Sequence, residues 1–143
     1  MNKKNLCLFY LILGFFGVLE VNAQIGIAVA KDEKGSSLEW NVVWNKGYQT
    51  ESIAIQNLRD KGYKKVFSLT GGEKRGHKLQ SGYWVVVEAT HKIYDGTLKT
   101  SFGLGASSSS YTEAEERAVS NLSQYDWSWK KSNGYTISKK GTF

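Results

Sequence analysis

Ala54-Ile55-Gln56-Asn57-Leu58 and Ala118-Val119-Ser120-Asn121-Leu122 are two versions of one pentapeptide at an offset of 64 residues, and their surroundings match as well. Upstream of the first lies an alternating segment with Leu38, Trp40, Val42 and Trp44. Upstream of the second, Leu98, Thr100, Phe102 and Leu104 keep the same spacing. A period of two puts the large side chains on one face of a half-buried strand. Farther upstream are two more strand-like runs, Ile25 to Ala30 and Trp84 to Ala89. The turns between, Lys31 to Gly35 and His91 to Gly96, each end in glycine, and Asp95-Gly96 is a hairpin signal. Each copy therefore predicts strand, turn, strand, loop, helix.

The helix starts are marked. Ser110 with Glu113 fits a capping box, and Thr112 and Thr50 also suit N-caps with glutamates in the first turn. Ala114, Ala118 and Leu122 recur every four residues, as do Ala54 and Leu58, giving each helix a narrow apolar stripe for a sheet. Gly62 ends the first helix. A strand is expected at Lys64 to Leu69, and another at Asp126 to Trp129 or at Tyr135 to Ile137. The Gly-rich stretch Thr70 to Gly82 joins the copies. A lone hairpin is marginal in water, so neither half should fold alone. The expected class is α+β: two pseudosymmetric β-β-α(-β) repeats, about 24–69 and 82–138. They would share one antiparallel sheet or a partly closed barrel, with both helices on one side.

The 143 residues are enough for one compact domain. An apolar content of 41% is too high for a disordered chain, and fifteen glycines without proline or a three-residue period are not collagen-like. Residues 1–23 read as a secretory signal peptide: Lys3 and Lys4, an apolar stretch from Leu6 to Leu19, and Val21-Asn22-Ala23 at the cleavage site. That stretch is too short for a transmembrane anchor. The expected mature chain, 24–143, is then periplasmic or extracellular. It loses Cys7, the single cysteine, so disulfides, zinc-thiolate sites and thiol nucleophiles are excluded from it. Its core must come from packing, and all five tryptophans lie in it.

The repeat resembles that of the small exported bacterial DUF4189 domain, over most of residues 25–125. The residues that carry the resemblance are Ile27-Ala28-Val29-Ala30 with Trp40, and Gly103 to Ser110 followed by Glu113-Ala114-Glu115-Glu116-Arg117-Ala118. Where such domains carry cysteines near the helix end, this chain has Leu58 and Leu122. The resemblance implies the repeated fold and export; it brings no catalytic residues, because the family's function is uncharacterised.

No catalytic constellation is visible in the sequence, so no enzymatic activity is expected, nor a metal or cofactor. His77 and His91 are not at ligand spacing, and Gly-x-Ser-x-Gly and His-Glu-x-x-His are missing. Both histidines read as solvated loop residues. Glu88, on an apolar strand, is expected to face solvent beside a Lys or Arg. Gly71 to Gly76 lacks the Gly-Lys-Ser/Thr ending of a phosphate loop, and Ser107 to Ser110 reads as a capped loop.

Charge is informative by position. The formal net charge of +6 gathers in Lys61 to Lys78, net +5, and Lys130 to Phe143, net +4, on a slightly acidic remainder. The candidate ligand-binding residues are Lys64, Lys65, Lys74, Arg75 and Lys78 in the first segment. In and before the second they are Trp127, Trp129, Lys130, Lys131, Tyr135, Lys139 and Lys140. Lysines interleaved with aromatic rings suit a polyanion or a glycan; the competing account is that lysine protects edge strands. The functional expectation is an exported, non-catalytic module that binds a protein or an envelope polyanion or glycan, with no nucleic acid partner. The alternative is an inhibitor or immunity-type partner of a secreted enzyme, inserting residues 71–81 or 106–111 into a cleft.

Overall fold

The computed structural model describes residues 25–69 and 81–143. Strands β1 (Ile25–Lys31) and β2 (Ser37–Trp44) are followed by helix α1 (Thr50–Asp60) and strand β3 (Val66–Leu69). The second unit repeats the order: β4 (Tyr83–Lys92), β5 (Leu98–Ser107), α2 (Tyr111–Tyr125) and β6 (Thr136–Thr142). The fold is α+β, built from two β-β-α-β units as the repeat implied. Among the described residues no helix is long and apolar enough to cross a membrane.

Each unit makes its own three-stranded antiparallel sheet, in the orders β2-β1-β3 and β5-β4-β6. The expected single sheet or barrel with both helices on one side is thus corrected. The reason lies in the central strands, which are apolar on both faces, and each face needs its own cover. In β1, Ala28 and Ala30 pack under Ala54 and Leu58 of α1. Ile27 and Val29 point the other way and meet Trp84, Val86, Phe102 and Leu104 of the second sheet. In β4, Val85, Val87 and Ala89 lie under Ala114, Ala118 and Leu122 of α2. The layers are therefore helix, sheet, sheet, helix, and the innermost apolar layer is shared by the two units.

Local signals set the helix ends. Ser110 has extended backbone angles and its hydroxyl accepts from the Glu113 amide. The Glu113 carboxylate does not complete the box; it accepts from Ser107 Oγ and Arg117 Nη2. Thr50 is the first residue of α1 rather than its cap, and its hydroxyl donates to the Gly47 carbonyl. Gly62, at φ +93°, takes the left-handed conformation that closes α1.

Leu58 and Leu122 are both fully buried, one in each helix–sheet layer. Truncating either to Ala removes the packing of its helix on the central strand of its own sheet. Each change is expected to cost about 3 kcal/mol, read from the denaturant midpoint at unchanged m-value. A variant that lost less than ~1 kcal/mol would show that its helix is not held by the stripe.

The Trp127 turn as candidate functional site

Helix α2 ends on Asp126, whose amide donates to the Leu122 carbonyl. The side chain then organises the next three residues. Asp126 Oδ1 accepts from the Ser128 amide at 3.1 Å, Ser128 Oγ at 2.5 Å and Lys99 Nζ at 2.8 Å. Oδ2 accepts from Ser101 Oγ at 2.6 Å, and the Trp129 amide closes the turn on the Asp126 carbonyl at 3.1 Å. The carboxylate side chain is 1% exposed. Burial, the strongest single influence, raises its pKa, yet the hydrogen bonds from Lys99, Ser101 and Ser128 and the Lys99 charge together outweigh that and hold it at about 2. Lys31 stands nearby, its pKa lowered by burial and then by the Lys99 charge.

His91 belongs to the same cluster. It is buried on the α2 face of β4, not solvated in a loop as the sequence suggested, because β4 runs on to Lys92 and carries it two residues past Ala89. Its Nε2 lies 3.0 Å from Ser128 Oγ and 3.7 Å from Asp126 Oδ2. Since the Ser128 hydroxyl donates to Asp126, the imidazole donates through Nε2, and the buried Nδ1 faces no partner. In a nucleophilic triad the acid holds one imidazole nitrogen and the nucleophile the other. Here hydroxyl and carboxylate crowd the same nitrogen, which is the geometry of a turn anchor. Glu88 is half-buried on the other face, paired in the ladders with Phe102 and Thr136. His77 lies outside the described residues.

The anchored turn displays Trp127, which is 85% exposed. Trp129, two residues on, is buried: its indole packs on the α2 layer and its Nε1 donates to the Gly134 carbonyl at 3.0 Å. Of the two rings expected to stack on a ligand, Trp129 is therefore a structural wall and Trp127 is free. Beyond them Lys131–Asn133 form a short 3-10 turn, with the Lys130 amide donating to Asn133 Oδ1. Tyr135 donates through its hydroxyl to Glu115 Oε1 at 2.9 Å. Between this loop and the outward face of α2 lies a cleft of about 830 Å³, walled by Glu115, Glu116, Val119 and Ser123 on one side and Trp129, Lys130, Lys131 and Tyr135 on the other.

The structure thus brings four of the sequence candidates together around this cleft, Trp129, Lys130, Lys131 and Tyr135, with Trp127 exposed on the turn that leads into it. It does not gather the rest. Lys64 and Lys65 precede β3 on the other sheet, where Lys65 pairs with Glu33. Lys140 sits over the Tyr111 ring at 5.1 Å, while Lys139 lines a separate groove between the sheets. Lys74, Arg75 and Lys78 lie outside the described residues. Both β3 and β6 are edge strands, so Lys139 and Lys140 stand where edge protection requires them.

The Asp126 cluster escaped the sequence reading, although two signals were present. Asp126-Trp127-Ser128 directly after a helix stripe is an Asx-type turn, and His91 keeps the odd parity of Val85, Val87 and Ala89. Compared with protein-family models, curated proteins and solved structures, the chain finds no match.

Proposed function

We propose that the chain is a non-catalytic binding module, acting outside the cytoplasm once residues 1–23 are removed, and that it takes a protein partner on Trp127 and the adjoining cleft. The observation that carries this reading is an indole 85% exposed on a turn held by five hydrogen bonds. A tryptophan buries roughly 200 Å² when it docks, and a rigid aromatic anchor binds with little loss of conformational freedom. The cleft beside it presents Lys130 and Lys131 against Glu115 and Glu116. Both signs of charge favour a protein surface over a polyanion, which would meet the glutamates as repulsion.

The inhibitor alternative needs a projecting loop. Of its two candidates, most of 71–81 lies outside the described residues. The other, 106–111, is tied down by the Ser107–Glu113 bond, the Ser109 amide on Ser107 Oγ and the Ser110 cap.

Affinity capture from envelope and medium fractions on the immobilised protein tests the proposal. A stoichiometric protein should be retained, and Trp127→Ala should weaken it about tenfold or more. Salt-sensitive retention on anionic polymer, lost when Lys130 and Lys131 are neutralised, would move the reading to a polyanion. Retention of neither would remove it.

A further inference from the structure

The two three-stranded sheets have four edges, and three of them are guarded. β3 is four residues long and is preceded by Lys64 and Lys65. β6 carries Lys139 and Lys140 and is bulged where its register on β4 shifts between Val86 and Val87. β5 lies under α2 and has three of its backbone groups taken up by side chains. The Leu104 amide donates to Asn121 Oδ1, Arg117 donates to the Ala106 carbonyl, and the Thr100 amide donates to Ser36 Oγ.

The fourth edge, β2, carries none of these devices from Glu39 to Trp44; its one irregularity is at its first end, where the register on β1 shifts between Ala30 and Lys31 and passes over Leu38. It is eight residues long, and among the described residues no side chain takes up its outward amides or carbonyls. Its one charged residue, Glu39, is already paired with Lys61 of the same chain. Leu38 is 53% exposed and Trp44 39%. A groove of about 510 Å³ follows this strand and is lined by its residues of both parities, with Trp84, Phe102 and Lys139 across from it. Residues of both parities can line one groove only along the strand's edge, where unpaired backbone and apolar side chains are offered together.

We propose that this edge pairs with β2 of a second copy, antiparallel about a twofold axis at Asn41. The strand is self-complementary in that register. Leu38 of one copy falls opposite Trp44 of the other, so the two exposed apolar residues cover each other. Trp40 falls opposite Val42, and Glu39 opposite Val43, which keeps the two glutamates apart. Face parity is preserved from Glu39 to Val43, and the β2-β1-β3 sheets of the two copies become one six-stranded sheet with a continuous apolar inner face. This isologous contact closes on itself and leaves no unpaired β2 edge. It shares no residue with the Trp127 cleft.

Sedimentation of the purified protein from about 1 to 500 μM spans the range of a moderate dimer. A concentration-dependent dimer is expected, weakened about tenfold or more by Leu38→Lys or Trp44→Lys and unchanged by Leu98→Lys, a control on β5 that is 66% exposed. The register is tested separately. In a Cys7→Ser background, Asn41→Cys should form a disulfide-linked dimer under mild oxidation, because paired residues across an antiparallel axis bring Cβ atoms to about 5 Å. A protein that stays monomeric at 500 μM overturns the proposal. So does a dimer dispersed by Leu98→Lys but not by the β2 variants, or a monomer carrying a foreign extended peptide at β2.

Discussion

Gly105→Ala is expected to destroy the native packing of α2, with a loss of more than ~4 kcal/mol and an insoluble or molten product in place of a shifted transition. A Cβ at Gly105 would stand 2.0 Å from the Ala114 carbonyl oxygen and 2.3 Å from the Ala118 nitrogen. At Gly103 it would stand 2.2 Å from the Ala118 oxygen and 2.7 Å from the Leu122 nitrogen. Overfilled cores usually cost 1–3 kcal/mol because side chains can rotate away. Here the obstructing atoms are helix backbone, so relief requires lifting α2 off β5 and opening the layer that buries Val85, Val87 and Leu122. Neither glycine has a positive φ, and close approach is the whole reason for them. Gly96 is the contrasting case: its φ of +83° is the constraint and a Cβ there would meet nothing. Gly96→Ala should cost about 1–2 kcal/mol in a clean two-state unfolding curve. Ala118→Gly should not rescue Gly105→Ala, since it removes no atom of the clash. Equal, small losses at Gly96 and Gly105 would mean that α2 does not rest on β5 as described.

How far these features were legible follows from which of them are local. Strand parity, the helix stripes and the Ser110 cap are written within a few residues, and the pentapeptides placed Leu58 and Leu122 in equivalent buried layers. The number of sheets is not local. The run Ile27-Ala28-Val29-Ala30 says that both faces of β1 are buried, but not that the second face meets another sheet. The sequence offers two segments for the last strand, and the later one forms it. Asp126 to Trp129 is spent on a turn, and β6 spans Thr136–Thr142. The basic aromatic segment named both tryptophans but could not sort them, because two identical residues two positions apart differ only once the Asp126 turn buries Trp129 and leaves Trp127 exposed. Nor could charge counting find Lys99 as the ion that makes the turn possible, since the pair is 27 residues apart in the chain.

That pair sets the remaining expectation. Asp126→Asn keeps the shape of the side chain and removes its charge, leaving Lys99 half-sunk beside a neutral amide and Ser101 and Ser128 with a weaker acceptor. A cost of about 3 to 5 kcal/mol at pH 7 is expected, since one partner of a buried pair is removed and the other stays. The pH dependence separates this from a packing defect. Asp126 is held at about 2 in the folded chain, below the usual carboxylate value near 3.8. The stabilisation tied to its charge is therefore complete above about pH 4 and is lost as the pH falls toward 2, by roughly 2 to 3 kcal/mol. The stability gap between the native protein and Asp126→Asn should accordingly narrow over that window, whereas a gap independent of pH would show that the carboxylate's charge is not what holds the turn. Lys99→Met should reproduce much of the loss, and the double variant should fall short of the sum of the two. Hydrogen exchange supplies the link to binding. The Ser128 and Trp129 amides both close on Asp126. In Asp126→Asn they should exchange faster than those of α2, and any partner that docks on Trp127 should bind more weakly although Trp127 itself is intact, because the anchor is no longer presented in one conformation.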